Sequence, residues 1–83
     1  MTSSAQGMPT VSLRAVTLRF ENDLLYVRLE DGREIGTPLT WFPRLVTATD
    51  VQRNNWLLMG RGIGIHWPDV DEDILVEGLL RAN

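Results

Sequence analysis

Hydrophobic and polar positions alternate through the first part of the chain and then change rhythm. Val16, Leu18 and Phe20 are separated by Thr17 and Arg19, and Leu25, Val27 and Leu29 by Tyr26 and Arg28. This is the two-residue period of strands with one buried face. Asn22 and Asp23 tolerate the positive backbone angles of a two-residue turn. Placed there, they set Phe20 opposite Leu25, Leu18 opposite Val27 and Val16 opposite Leu29, so every inner pair is apolar. Asp31-Gly32 invites a second two-residue turn, but that register buries Glu34 opposite Leu29. A three-residue loop, Glu30-Asp31-Gly32 with Gly32 left-handed, instead pairs Val27 with Ile35 and Leu25 with Thr37, and sets Arg28 against Glu34 outside. The bulged loop is therefore expected.

Thr40 opens a helical segment, TWFPRLVTA, with Pro43 in its first turn, where a missing N–H costs nothing. Thr49-Asp-Val-Gln52 is a capping box that starts a helix expected to reach Asn55 or Trp56. Leu57, Met59, Ile63 and Ile65 then alternate around Gly60-Arg61-Gly62, which predicts a second hairpin. Asp73 is expected to cap a last short helix through Leu79 and Leu80. The layout is α+β: a three-stranded antiparallel meander, central short helices, a second β-hairpin and a short C-terminal helix. One domain spans residues 11–83, and the small polar residues 1–10 read as a disordered N-terminal tail. The outer sheet face carries Thr17, Arg19, Tyr26, Arg28 and Glu34, the mixed composition of solvated surface or of a partner-binding face.

Of 83 residues, 43% are hydrophobic and 23% charged, as in ordinary soluble domains. A fold this small buries only roughly 60% of its unfolded surface, so dimerisation or complex formation is an expected source of stability. No apolar run is long enough to span a bilayer and no basic, apolar leader precedes the fold, so no membrane association and a cytoplasmic location are expected. The absence of cysteine excludes disulfides and thiolate metal sites. A formal charge of −3 and scattered basic residues, all arginine, disfavour a phosphate-binding surface and suit a basic protein partner.

Chemistry concentrates in Gly62–Ile74, GIGIHWPDVDEDI, where the single histidine is followed by Asp69, Asp71, Glu72 and Asp73. His66 with these carboxylates is the residue set of an acid–base site or a divalent cation site. No second histidine accompanies it, and the hydroxyls nearest the start lie in the tail, so no hydrolytic triad assembles. The aspartate spacing mimics the start of a calcium loop, but Ile74 replaces the required glycine and Leu80 the closing glutamate. Gly60, Gly62 and Gly64 match neither the dinucleotide fingerprint nor the P-loop and read as strand glycines admitting a close backbone. Trp41, Trp56 and Trp67 read as pillars of a small core. No cofactor, catalytic residue or metal ligand is assigned.

Together, Asp31-Gly32, Pro38-Leu39, Phe42-Pro43-Arg44-Leu45, Arg53 with Trp56, Gly62–Ile74 and Gly78-Leu79-Leu80 resemble the small bacterial family catalogued as domain of unknown function 2442. Asp50-Val51 departs from the family's common Pro-Glu. The resemblance implies that Gly62, Gly64, His66, Trp67, Pro68, Asp71 and Asp73 form a structural signature. Members are often encoded beside a small toxin-like protein, which implies an antitoxin role. Some carry a helix-turn-helix domain, and none follows Asn83, so toxin neutralisation or a bare interaction role is expected before autonomous operator binding. The expected function is a non-enzymatic interaction domain, antitoxin of a toxin–antitoxin pair, holding a small basic toxin through Arg19, Tyr26, Arg28 and Trp41. The alternatives are a small metal-dependent or acid–base enzyme site around His66, and a regulator that meets nucleic acid weakly or indirectly.

Overall fold

The computed structural model describes residues 13–81; the tail expected over residues 1–10 lies outside them. Strands β1 (Ala15–Glu21), β2 (Leu24–Leu29) and β3 (Glu34–Pro38) form an antiparallel meander in the order β1-β2-β3. A 3-10 turn (Leu39–Trp41) and two four-residue helices, α1 (Pro43–Val46) and α2 (Asp50–Arg53), follow. A second antiparallel sheet comprises β4 (Leu57–Met59), β5 (Gly64–Trp67) and β6 (Glu72–Leu75) in sequence order, and α3 (Val76–Arg81) closes the fold.

Both turns of the meander follow their local chemistry. Asn22 and Asp23 take φ of 53° and 64°, placing Phe20 opposite Leu25 and Leu18 opposite Val27. Gly32 takes φ of 95° in the three-residue loop, which is closed by the Leu29 N–H donating to the Arg33 carbonyl at 2.7 Å. Val27 accordingly pairs with Ile35, Leu25 with Thr37 and Arg28 with Glu34.

The start of β1 differs from the alternation. Ala15, not Val16, opposes Leu29, and the register slips between Ala15 and Thr17, leaving Val16 45% exposed. The cause lies in the turn between β4 and β5, where Gly62 (φ 99°) comes so close that a Cβ on it would stand 2.3 Å from the Ala15 carbonyl oxygen. The chain crosses closely here, and the bulge turns the small residue inward in place of valine.

The helical region is more broken than the sequence predicts. The TWFPRLVTA segment divides into the 3-10 turn and α1, with Pro43 at the first helical position. The Thr49–Gln52 capping box forms in full, but α2 stops at Arg53, capped by Asn54. Asp73 does not cap a helix. After the turn over Pro68–Asp71, in which Asp71 has φ of 54°, Asp73 lies within β6 opposite His66, and the predicted hairpin gains a third strand. Cross-strand pairing thus takes up the carboxylate that sequence reading assigned to a helix end.

Leu25, Val27, Leu29, Leu45, Ile65, Trp67 and Val76 are fully buried in one core shared by both sheets and the helices. Trp67 stands edge-on to Phe20, ring centroids 6.4 Å apart. Of the other two tryptophans, Trp56 is half-buried against this core, whereas Trp41 is 45% exposed and is not one of its pillars. Among the described residues no helix is long and apolar enough to cross a membrane.

Candidate functional site

The outer face of the first sheet is occupied by its own charges. The Arg19 guanidinium lies 4.3 Å from the Tyr26 ring centroid, and Tyr26 in turn covers Gly36, where a Cβ would stand 3.0 Å from the ring. Arg19 donates to Glu34 and, at 3.2 Å, to Glu21; Arg28 lies 3.7 Å from Glu34. The hydrogen bond to Glu34 raises the Arg19 pKa, against desolvation and with help from Glu21. Two arginines and two glutamates leave this patch without net charge. Of the four residues expected to bind a partner, Arg19, Tyr26 and Arg28 meet here, and Trp41 lies in a different depression.

The signature run divides between packing and surface. Gly62 admits Ala15, and Trp67 fills the core while its indole N–H donates to the Arg53 carbonyl at 2.9 Å. Pro68 opens the turn, and the Asp71 carbonyl accepts a hydrogen bond from Arg44. Asp69 accepts from the Asn55 side chain at 3.0 Å. His66 Nδ1 and the Asp73 carboxylate are hydrogen-bonded across the β5–β6 pair, an arrangement that orients the imidazole. Among the described residues no group of three His, Asp or Glu side chains is arranged to hold a metal ion.

His66 and Asp73 stand on the outer face of the second sheet, and their neighbours are apolar. Leu57 is the cross-strand neighbour of His66 on its other side, and Met59, Gly64 and Leu75 form the next row. A Cβ on Gly64 would meet the Met59 methyl at 3.2 Å and a Leu75 methyl at 3.6 Å, so these two side chains approach each other over the glycine. Leu57 is 56% and Leu75 63% exposed. Leu75 and Asp73 also line an open groove of about 440 Å³ with Trp41, Phe42, Ile74, Gly78 and Leu79. One surface thus runs from Leu57 past the His66–Asp73 pair to Trp41. Contiguous exposed apolar area of this kind marks interaction sites in soluble proteins.

Sequence reading missed Leu57, Met59 and Leu75 as surface residues. Leu57 and Met59 fit an alternation with Ile63 and Ile65 that implies burial, yet only Ile65 is buried. The unbroken Leu57-Leu58-Met59 run reads as a strand buried on both faces, so the sequence carries no signal of their exposure.

Two antiparallel sheets sharing one core with three short helices define a small α+β domain. The model for the family described as protein of unknown function, DUF2442, matches residues 15–83, and the chain belongs to that family. Its fold is similar to the crystal structure of a protein of unknown function from Rhodospirillum rubrum ATCC 11170, with a TM-score of 0.68 and 30% identity over 81% of this chain and 83% of that one. No curated protein matches.

Proposed function

We propose that this chain is a non-enzymatic, cytoplasmic protein-interaction domain, the antitoxin of a toxin–antitoxin pair, which holds a small basic toxin. The observation that carries the reading is the apolar surface of the second sheet, where Leu57, Met59 and Leu75 stand in water and continue into the Trp41 groove. Large apolar and aromatic side chains on one connected surface supply the buried centre that protein interfaces require. Asp73 within that surface and the net charge of −3 favour a cationic partner. The toxin assignment is supported by the genetic setting common in the family. The first-sheet cluster of Arg19, Tyr26 and Arg28 then serves as a rim or as plain surface, its charges already paired.

Co-expression with the product of the adjacent gene tests this reading. Relief of that product's growth inhibition, a stable purified complex, and loss of both on Leu75→Glu with Trp41→Ala are expected. Growth arrest that persists on co-expression, or absence of a complex, overturns it.

A further inference from the structure

β4 is one of the two edge strands of the second sheet, unpaired on its outer side among the described residues, and it has the chemistry of a strand meant to be paired. Exposed edge strands in soluble proteins are usually blunted by charge, proline or a bulge. Leu57, Leu58 and Met59 are all substantially exposed, and apart from its three-residue length the strand carries no charge, proline or bulge. The charges lie just beyond its two ends. Arg61, two residues past it in the turn toward β5, is exposed, is held left-handed at φ 58°, and has no ion-pair partner among the described residues. Before it stands Asn55, whose amide holds Asp69, an exposed carboxylate with no cationic partner among the described residues.

We infer that β4 is the seam of a two-fold homodimer, in which it pairs antiparallel with β4 of a second copy to make one continuous six-stranded sheet. A register centred on Leu58 sets Leu58 opposite Leu58 and Leu57 opposite Met59, so apolar residues meet apolar residues at every step. It also brings Arg61 of each copy level with Asn55 of the other, and hence beside Asp69. The two charges left unpaired within one chain are thereby neutralised twice by symmetry, as an isologous interface demands. A second copy is the occupant because it supplies both the uncharged apolar strand and the complementary charges at the matching spacing. The joined sheet sets two Leu57–Met59–Leu75 surfaces side by side.

Sedimentation equilibrium of the isolated chain, from about 1 µM to about 1 mM at low salt, reads the association directly. A monomer–dimer equilibrium is expected. Leu57→Asp should weaken it by more than about tenfold, since it puts a charge on each side of the seam. Arg61→Asp and Asp69→Arg should each weaken it a few-fold, roughly the size of exposed ion pairs, and the double variant should recover the loss. Unchanged circular dichroism and melting show that each variant folds. A wild-type chain that stays monomeric throughout overturns the inference. So does a dimer that responds to Leu57→Asp but to neither charge reversal, because the second copy then sits on the sheet face and not along its edge.

Discussion

The indole N–H of Trp67 donates to the backbone carbonyl of Arg53 at 2.9 Å, which ties the second sheet to the end of α2. Arg53 carries the connection onward: its Nε and Nη2 donate to the carbonyls of Leu45 and Val46 at 2.7 and 2.8 Å, satisfying the C-terminal end of α1. Two helices too short to be stable alone are thus held by one side chain and one indole. Trp67→Phe leaves the Arg53 carbonyl unpaired and opens a gap beside Phe20, and is expected to cost about 2–4 kcal/mol in urea unfolding.

Arg53→Lys keeps the charge but has no planar fork to reach two carbonyls at once. A loss of about 1–2 kcal/mol is expected, with a smaller further loss for Arg53→Ala. Equal stability of Arg53→Lys and wild type in thermal melts would show that charge alone suffices at this position.

Gly62 and Gly32 share a left-handed backbone, at φ 99° and 95°, but differ in what surrounds them. Nothing lies within 4 Å of a Cβ at Gly32, whereas one at Gly62 runs into the Ala15 backbone. Gly32→Ala should cost about 1 kcal/mol, the conformational penalty alone. Gly62→Ala should cost more than about 3 kcal/mol or prevent folding, because backbone has to move at the junction of the two sheets. Parallel denaturant titrations of the two variants separate conformational strain from steric exclusion.

The meander was legible because its information is local: Asn22-Asp23 and Asp31-Gly32 set the turns, and the alternation of Leu18, Phe20, Leu25 and Val27 set the faces. The Thr49–Gln52 cap was legible for the same reason. Val16 was misplaced because its bulge is imposed by Gly62, far along the chain. The third strand of the second sheet was hidden because acidic residues ahead of Val76–Leu80 look like a helix start, while Asp73 owes its strand conformation to pairing with His66. The candidate surface was least visible of all. Leu57, Met59 and Leu75 have the composition of core residues, and only their outward direction, which sequence does not carry, makes them a surface.

His66 and Asp73 are both partly exposed, so their pairing contributes little to stability. His66→Ala should change the unfolding free energy by less than about 1 kcal/mol and leave partner binding within a few-fold of wild type. Titration with zinc or calcium should leave the NMR signals of His66 and Asp73 in place. A saturable shift of both signals would instead support a cation site and favour the metal-dependent alternative.

The two sheet faces make opposite forecasts for docking. If the partner sits on the second sheet, Leu75→Glu replaces a largely exposed leucine with a carboxylate in the middle of the contact. It should leave the melting temperature nearly unchanged while weakening the complex by more than about tenfold, the scale of an interface hot spot. Arg28→Ala on the first sheet removes a side chain whose charge is shared with Glu34 and should alter affinity by no more than a few-fold. The same pair of variants addresses nucleic acid: binding through the arginine-bearing face would fall with Arg28→Ala and decline steeply with added salt, while remaining indifferent to Leu75→Glu. Isothermal titration of both variants against the purified neighbour protein, with a duplex DNA control at low salt, distinguishes the two faces in one experiment. A complex weakened by Arg28→Ala and untouched by Leu75→Glu would move the docking site to the first sheet.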